Sequence, residues 1–160
     1  ATVQQVSFLR GDGGYSLLDG GQPSDAPLAP LRPTPEDRAP DFTDTQAIRP
    51  EAALLYRLMG DYNPLHADPA VARKAGFERP ILHGLASYGL VAHAVLRQCG
   101  DRNPARLKAL DVRFTAPVYP GETLVTEIWR TPDQPCQLQL RARVLERDKV
   151  VLSHGYAELA

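Results

Sequence analysis

The run Gly60-Asp61-Tyr62-Asn63-Pro64-Leu65-His66 puts a carboxylate and an imidazole in one short segment. Asp61 supplies a hydrogen-bond acceptor and His66 a group that titrates near neutral pH, the two ingredients of general acid–base work. Pro64 fixes its own φ and pushes Asn63 out of the α region, so the segment must leave any helix before it. Freed from a helix face, the two side chains can converge on one small molecule, such as a water. One group would take a proton from that water while the other returns one to a nearby carbon. Syn addition of water across a polarised double bond, or the reverse elimination, fits this pairing. It also needs a donor aimed at a carbonyl oxygen that becomes enolate-like. A backbone N–H at a helix N-terminus serves, and Gly84 stands at such a place, with no side chain to block a ligand. The same residues are also ordinary turn vocabulary, with Asp61 capping and Asn63 forming an Asx-turn. Spacing alone leaves both readings open.

The elements that must hold this loop follow from pattern. Extended chain over Phe42 to Ile48 leads to Pro50, which opens a helix through Met59. After the loop, Pro69 to Ala75 is a helical turn stopped by Gly76. Pro80 to Leu85 then leads into a helix ending near Gln98. That helix is nearly free of charge, which predicts burial on all sides, with its Gly and Ala positions letting a sheet approach. Strands follow at Leu107 to Val118, Thr123 to Arg130 and Val150 to Leu159, with a Pro120-Gly121 turn suited to type II. Between them Cys136, Leu138, Leu140, Ala142 and Val144 alternate with Gln137, Gln139, Arg141 and Arg143, predicting one buried and one wet face. The fold class is α+β: an antiparallel sheet curled around a long buried helix.

Upstream, Val3 to Leu9 reads as a short strand with no hairpin partner, so it completes a sheet elsewhere. Residues 1–18 form this strand and the start of a linker, the Pro-rich stretch 19–40 is the linker, and 41–160 is the compact domain. At 160 residues, with 43% hydrophobic and 23% charged residues, the composition is that of a globular domain. A net charge of −1 gives no electrostatic case for nucleic acid or an anionic membrane. No apolar run is long enough to span a bilayer. Cys99 and Cys136 make neither a disulfide framework nor a metal site, although one pair remains open. Ala1 to Arg10 lacks the plan of a signal peptide, and the missing initiator Met points to processing or to a fragment. Of the other histidines, His83 reads as structural at the helix entry, His93 as a core residue, and His154 as packing or surface.

Tyr56 through His66 with Ala72, then Ala75-Gly76-Phe77, Pro80 through Leu85 and Arg113 through Gly121, resemble the (R)-specific enoyl-CoA hydratases, or hydratase 2, of the MaoC-like group. The likeness covers about Thr43 to Leu159 and is nearest to the C-terminal half of two-halved members. It implies a hot-dog fold and hydration of trans-2-enoyl-CoA to (3R)-3-hydroxyacyl-CoA. It implies no metal or redox cofactor, coenzyme A entering only as part of the substrate. By position, Asp61 and His66 match the pair that holds the water, Asn63 the residue that orients them, and Gly84 the oxyanion donor. Tyr62, Pro64, Leu65, Arg113 and Phe114 match substrate or CoA contacts.

Met59 departs from the small residue usual before Gly-Asp in that group, which would shift packing behind the loop. The first strand resembles the last strand of a preceding hot dog. The implied partner is therefore a second hot-dog half or subunit, in a homo- or pseudo-dimer. A dehydratase of polyketide or other acyl metabolism, and a non-catalytic binding or structural hot-dog subunit, are the competing functions. The Arg- and Ala-rich composition and an end lacking Ser-Lys-Leu favour a bacterial cytoplasm over a peroxisome.

Overall fold

The computed structural model describes residues 2–5 and 31–160, of which Leu31–Ala160 make one compact unit. Residues 2–5 have no regular structure; the rest of the predicted first strand and the linker up to residue 30 lie outside the described residues. Five antiparallel strands, β1 (Phe42–Ala47), β2 (Leu107–Phe114), β3 (Thr123–Thr131), β4 (Gln134–Val144) and β5 (Lys149–Leu159), form one sheet in the order β1-β3-β4-β5-β2. Helices α1 (Ala52–Tyr56), α2 (Pro69–Lys74) and α3 (Gly84–Cys99) interrupt the run between β1 and β2. This is the hot-dog-like arrangement that the alternation and the long helix predict.

The core lies between α3 and the inner face of the sheet. Leu124, Ile128, Leu138, Leu140, Val144, Val151, Leu152 and Ala157 meet Val91 and Val95 of the helix. Each large aliphatic side chain taken out of water there contributes about 1.5–3 kcal/mol. Polar ties fix the helix on both flanks. On one, the Tyr88 hydroxyl donates to the Leu110 carbonyl at 2.7 Å. On the other, Asp44 of β1 is 1% exposed, accepts from Gln98 at 2.9 Å and pairs with Arg97 at 3.3 Å.

Four expectations need correction. Helix α3 is not buried all round: Ser87, Val91, Ala94 and Val95 are buried, but Leu85, Gly89, His93 and Arg97 form an exposed stripe. His93 is accordingly no core residue; its Nδ1 meets the Gln46 side-chain oxygen at 3.2 Å. Gly89, too, has open space where a Cβ would stand, so the sheet does not approach it. The outer face of β4 is not simply wet either. Arg141 and Arg143 bind the buried Glu127, and the Pro33 carbonyl accepts from Gln139 at 3.2 Å. Both cysteines are free thiols.

The turn after β2 is as the sequence predicts: the Glu122 N–H donates to the Tyr119 carbonyl at 3.1 Å, and Gly121 takes φ +93°. On β5, Gly155 faces Leu140 of β4, and a Cβ there would lie 2.6 Å from the Leu140 Cβ and 2.8 Å from its carbonyl oxygen. The backbone cannot swing aside as a side-chain tip would. Gly155→Ala should therefore cost about 1–3 kcal/mol, measured as a fall in the urea midpoint with unchanged slope. An unchanged midpoint would show that the strands separate freely here.

Candidate active site

Helix α1 tightens into a 3-10 turn over Arg57–Met59 and ends at Gly60, whose φ of +108° only glycine adopts without strain. The chain then swings outward through Asp61 and Tyr62 into a second 3-10 turn, Pro64–His66. Pro64 is pre-shaped for that first helical position, and the Asn63 side chain caps the turn by accepting from the Leu65 N–H at 3.0 Å. One Asp61 carboxylate oxygen accepts from the Asn63 N–H at 3.2 Å. The turn reading is realised: Asn63 shapes the backbone that carries Asp61 and His66. The guanidinium of Arg57 donates to the Tyr62 carbonyl at 3.3 Å and braces the loop from behind.

His66 is buried, while the Asp61 side chain is about half exposed, at 54%. The His66 Nδ1 lies 2.8 Å from the Ile81 carbonyl oxygen. A carbonyl only accepts, so Nδ1 carries a proton, which leaves Nε2 as the nitrogen able to act as a base when the ring is neutral. The stretch that supplies this carbonyl is itself pinned, since the Leu82 N–H donates to the Val118 carbonyl at 2.7 Å.

His83, two residues past Ile81, joins the group. It is 2% exposed, its ring stacks on His66 with centroids 3.7 Å apart and planes at 25°, and its Nε2 lies 3.3 Å from the Asp61 carbonyl oxygen. Burial pushes the His83 imidazole below its ordinary value, against the opposing pull of the Asp61 carbonyl. Sequence reasoning placed His83 at the helix entry and missed this contact with His66.

One polar atom from each of Asp61, His66 and His83 lies within 4.8 Å of the other two. The Asp61–His66 spacing leaves room for a water about 2.8 Å from each of those two.

Helix α3 begins immediately after His83, with no side chain capping its first turn. Its leading N–H groups, starting with Gly84, are free donors at the positive end of the helix dipole. Phe114 of β2 closes over this end: a Cβ on Gly84 would sit 3.3 Å from the Phe114 ring, which is itself half exposed. Tyr62 and Pro64 are exposed and Leu65 half-buried on the loop. Arg113 is not brought in. Strand alternation turns it to the opposite face of β2 from Val112 and Phe114, and it is solvent-exposed.

The family model described as MaoC like domain matches residues 32–150. Among curated proteins, a probable enoyl-CoA hydratase 2 of Dictyostelium discoideum is 42% identical over 94% of this chain and 49% of its own length. The 3-hydroxyacyl-thioester dehydratase Y of Mycobacterium tuberculosis is 44% identical over 94% of this chain and 50% of its own. Full-length peroxisomal multifunctional enzyme type 2 from Drosophila melanogaster superposes with a TM-score of 0.79 at 45% identity, covering 88% of this chain and 25% of that one. The chain spans half or less of the length of these relatives. With a family model matched across most of its length and a fold shared at high identity, the chain belongs to the MaoC-like domain family.

Proposed function

We propose that this chain is the catalytic module of an (R)-specific 2-enoyl-CoA hydratase, adding water to trans-2-enoyl-CoA to give (3R)-3-hydroxyacyl-CoA. The observation that carries the reading is the grouping of the Asp61 carboxylate with the His66 ring, polar atoms within 4.8 Å of each other, beside the N–H of Gly84 at the uncapped start of α3. Water held by the pair attacks C3 of the enoyl thioester while the Gly84 N–H takes up the charge growing on the thioester oxygen. The proton shed by the water passes through the pair and reaches C2 on the same face, so both groups end as they began. A C3–O bond and a C2–H bond form as the C2=C3 π bond is lost, with no net oxidation or reduction, so the proposed steps route through no metal or redox group. Run backwards, the same steps are a dehydration, the direction named for the mycobacterial relative.

Tyr62, Pro64, Leu65 and Phe114 are the contacts assigned to the acyl-CoA. A second hot-dog half, on the same polypeptide or another, is the proposed partner. Two observations support it: the relatives are about twice this chain's length or more, and Leu54, Leu58, Met59 and Leu85 are large apolar side chains left exposed. Among the described residues no helix is long and apolar enough to cross a membrane. Composition favours a bacterial cytoplasm. The test uses the full-length protein with crotonyl-CoA and a longer enoyl-CoA, following loss of the conjugated thioester absorbance and the configuration of the product. A (3S) product or no absorbance change would overturn the reading.

A further inference from the structure

We propose that His83 is a positioning residue of this site: its ring backs the His66 imidazole, and its Nε2–H ties the Asp61 backbone to the helix that carries the Gly84 donor. The inference rests on the hydratase reading for its kinetic consequences, but its geometry stands alone.

The tautomer follows from the contacts. The Asp61 carbonyl can only accept, so Nε2 of His83 holds the proton. Its Nδ1 is buried and has no partner. A proton there would be an orphaned donor, so the ring sits as a neutral Nε2–H imidazole. A neutral ring can lie flat against His66 at 3.7 Å whatever charge His66 takes on during a proton transfer. A charged one would repel it at the moment it became an imidazolium. On its other side the His83 ring meets Tyr56 of α1, with centroids 4.6 Å apart. The imidazole is therefore a plug between three parts: the end of α1, the acid–base loop and the first turn of α3.

The consequence is mechanical. Asp61 and His66 sit on a loop whose remaining side chains are mostly exposed, whereas the Gly84 N–H is fixed by a helix docked on the sheet. Nothing else described joins the Asp61 backbone to that helix. Without His83 only the His66–Ile81 bond would tie the loop to the chain entering α3, Asp61 would be free to shift against the oxyanion donor, and a displacement of about 1 Å costs roughly 10²-fold in rate.

Three variants separate ring from donor. His83→Phe keeps the stacked ring without the N–H, His83→Gln keeps a donor without the ring, and His83→Ala removes both. We expect kcat to fall about 10-fold in the first two and about 10²-fold in the third, with KM within about two-fold of wild type. Nitrogen-15 NMR of the histidine rings reads the same device without turnover. The two His66 nitrogens should be well separated in wild type and His83→Phe, and should move towards their average in His83→Gln as the ring loses its backing. If wild type proves inactive, the hydratase reading fails while the NMR comparison still decides the role of His83. If His83→Ala does not fold, the other two variants carry the test. Unchanged kcat in both Phe and Gln variants, or wild-type His66 shifts in His83→Gln, would overturn the proposal.

Discussion

Asp61→Asn should abolish most hydration, lowering kcat/KM at least ~10²-fold and up to about 10⁴-fold, while the protein unfolds at the wild-type temperature. The change is nearly isosteric. An amide oxygen can still accept from the Asn63 N–H, so the loop keeps its hydrogen bond. The side chain is half exposed and its nearest cation-forming neighbour, His83, is 4.0 Å away and neutral, so little folding energy depends on its charge. What would be lost, in the proposed mechanism, is a proton acceptor for the attacking water.

His66→Ala should produce a loss of the same order, because in the proposed mechanism its ring is the other grip on that water. The decisive measurement is the double variant. If one water is held from two sides, removing the second grip after the first costs little, and the double should be no slower than the worse single. Multiplied losses would mean that the two residues act on separate steps, and the shared-water mechanism would be abandoned. Near-normal turnover in either single variant would remove that residue from the chemistry.

The parts of this molecule that were legible in its sequence are those a local rule controls. Alternation from Leu138 to Val144 identified the inner face of β4, because one face of a strand packs on the core whatever lies beyond it. Gly60, Gly76 and Gly121 mark chain reversals and all three take positive φ, a backbone demand that one residue type meets. Pro64 after Asn63 foretold the break that presents the loop. Pairings across the fold were less legible. His83 and His66 share a helical neighbourhood only after α3 docks, and no spacing rule brings residues so far apart face to face. The exposed stripe on α3 misled for a different reason: a lack of charge does not by itself say which side of a helix meets the sheet, and Leu85 and Gly89 lie on the side that does not. His93 inherited that error from its neighbours. Arg113 was avoidable, since period two already separates it from Phe114.

The Pro-rich segment is where composition said least, and it leads to the largest expected effect on stability. Its described part, residues 31–40, has no regular structure but closes over the outer face of the sheet. The Arg38 carbonyl accepts from the Trp129 indole N–H at 3.2 Å, Arg38 also donates to the Arg130 carbonyl at 2.8 Å, and Arg32 lies 3.7 Å over the Tyr156 ring. Trp129 is 1% exposed although it points away from α3, with the Arg141 guanidinium 5.4 Å from its ring. A linker only passing by would leave that indole in water. Trp129→Ala should therefore cost about 3–5 kcal/mol, a large share of the 5–15 kcal/mol that holds a typical domain, and lower Tm by roughly 10–20 °C. Trp129→Phe, which keeps a ring and loses only the bond to Arg38, should cost about 1–2 kcal/mol. Proteolysis should report the mechanism: residues 31–40 should become cleavable in Trp129→Ala under conditions where the rest of the domain resists. Equal stability of Trp129→Ala and wild type would mean that the segment contributes no cover, and that the sheet stands without it.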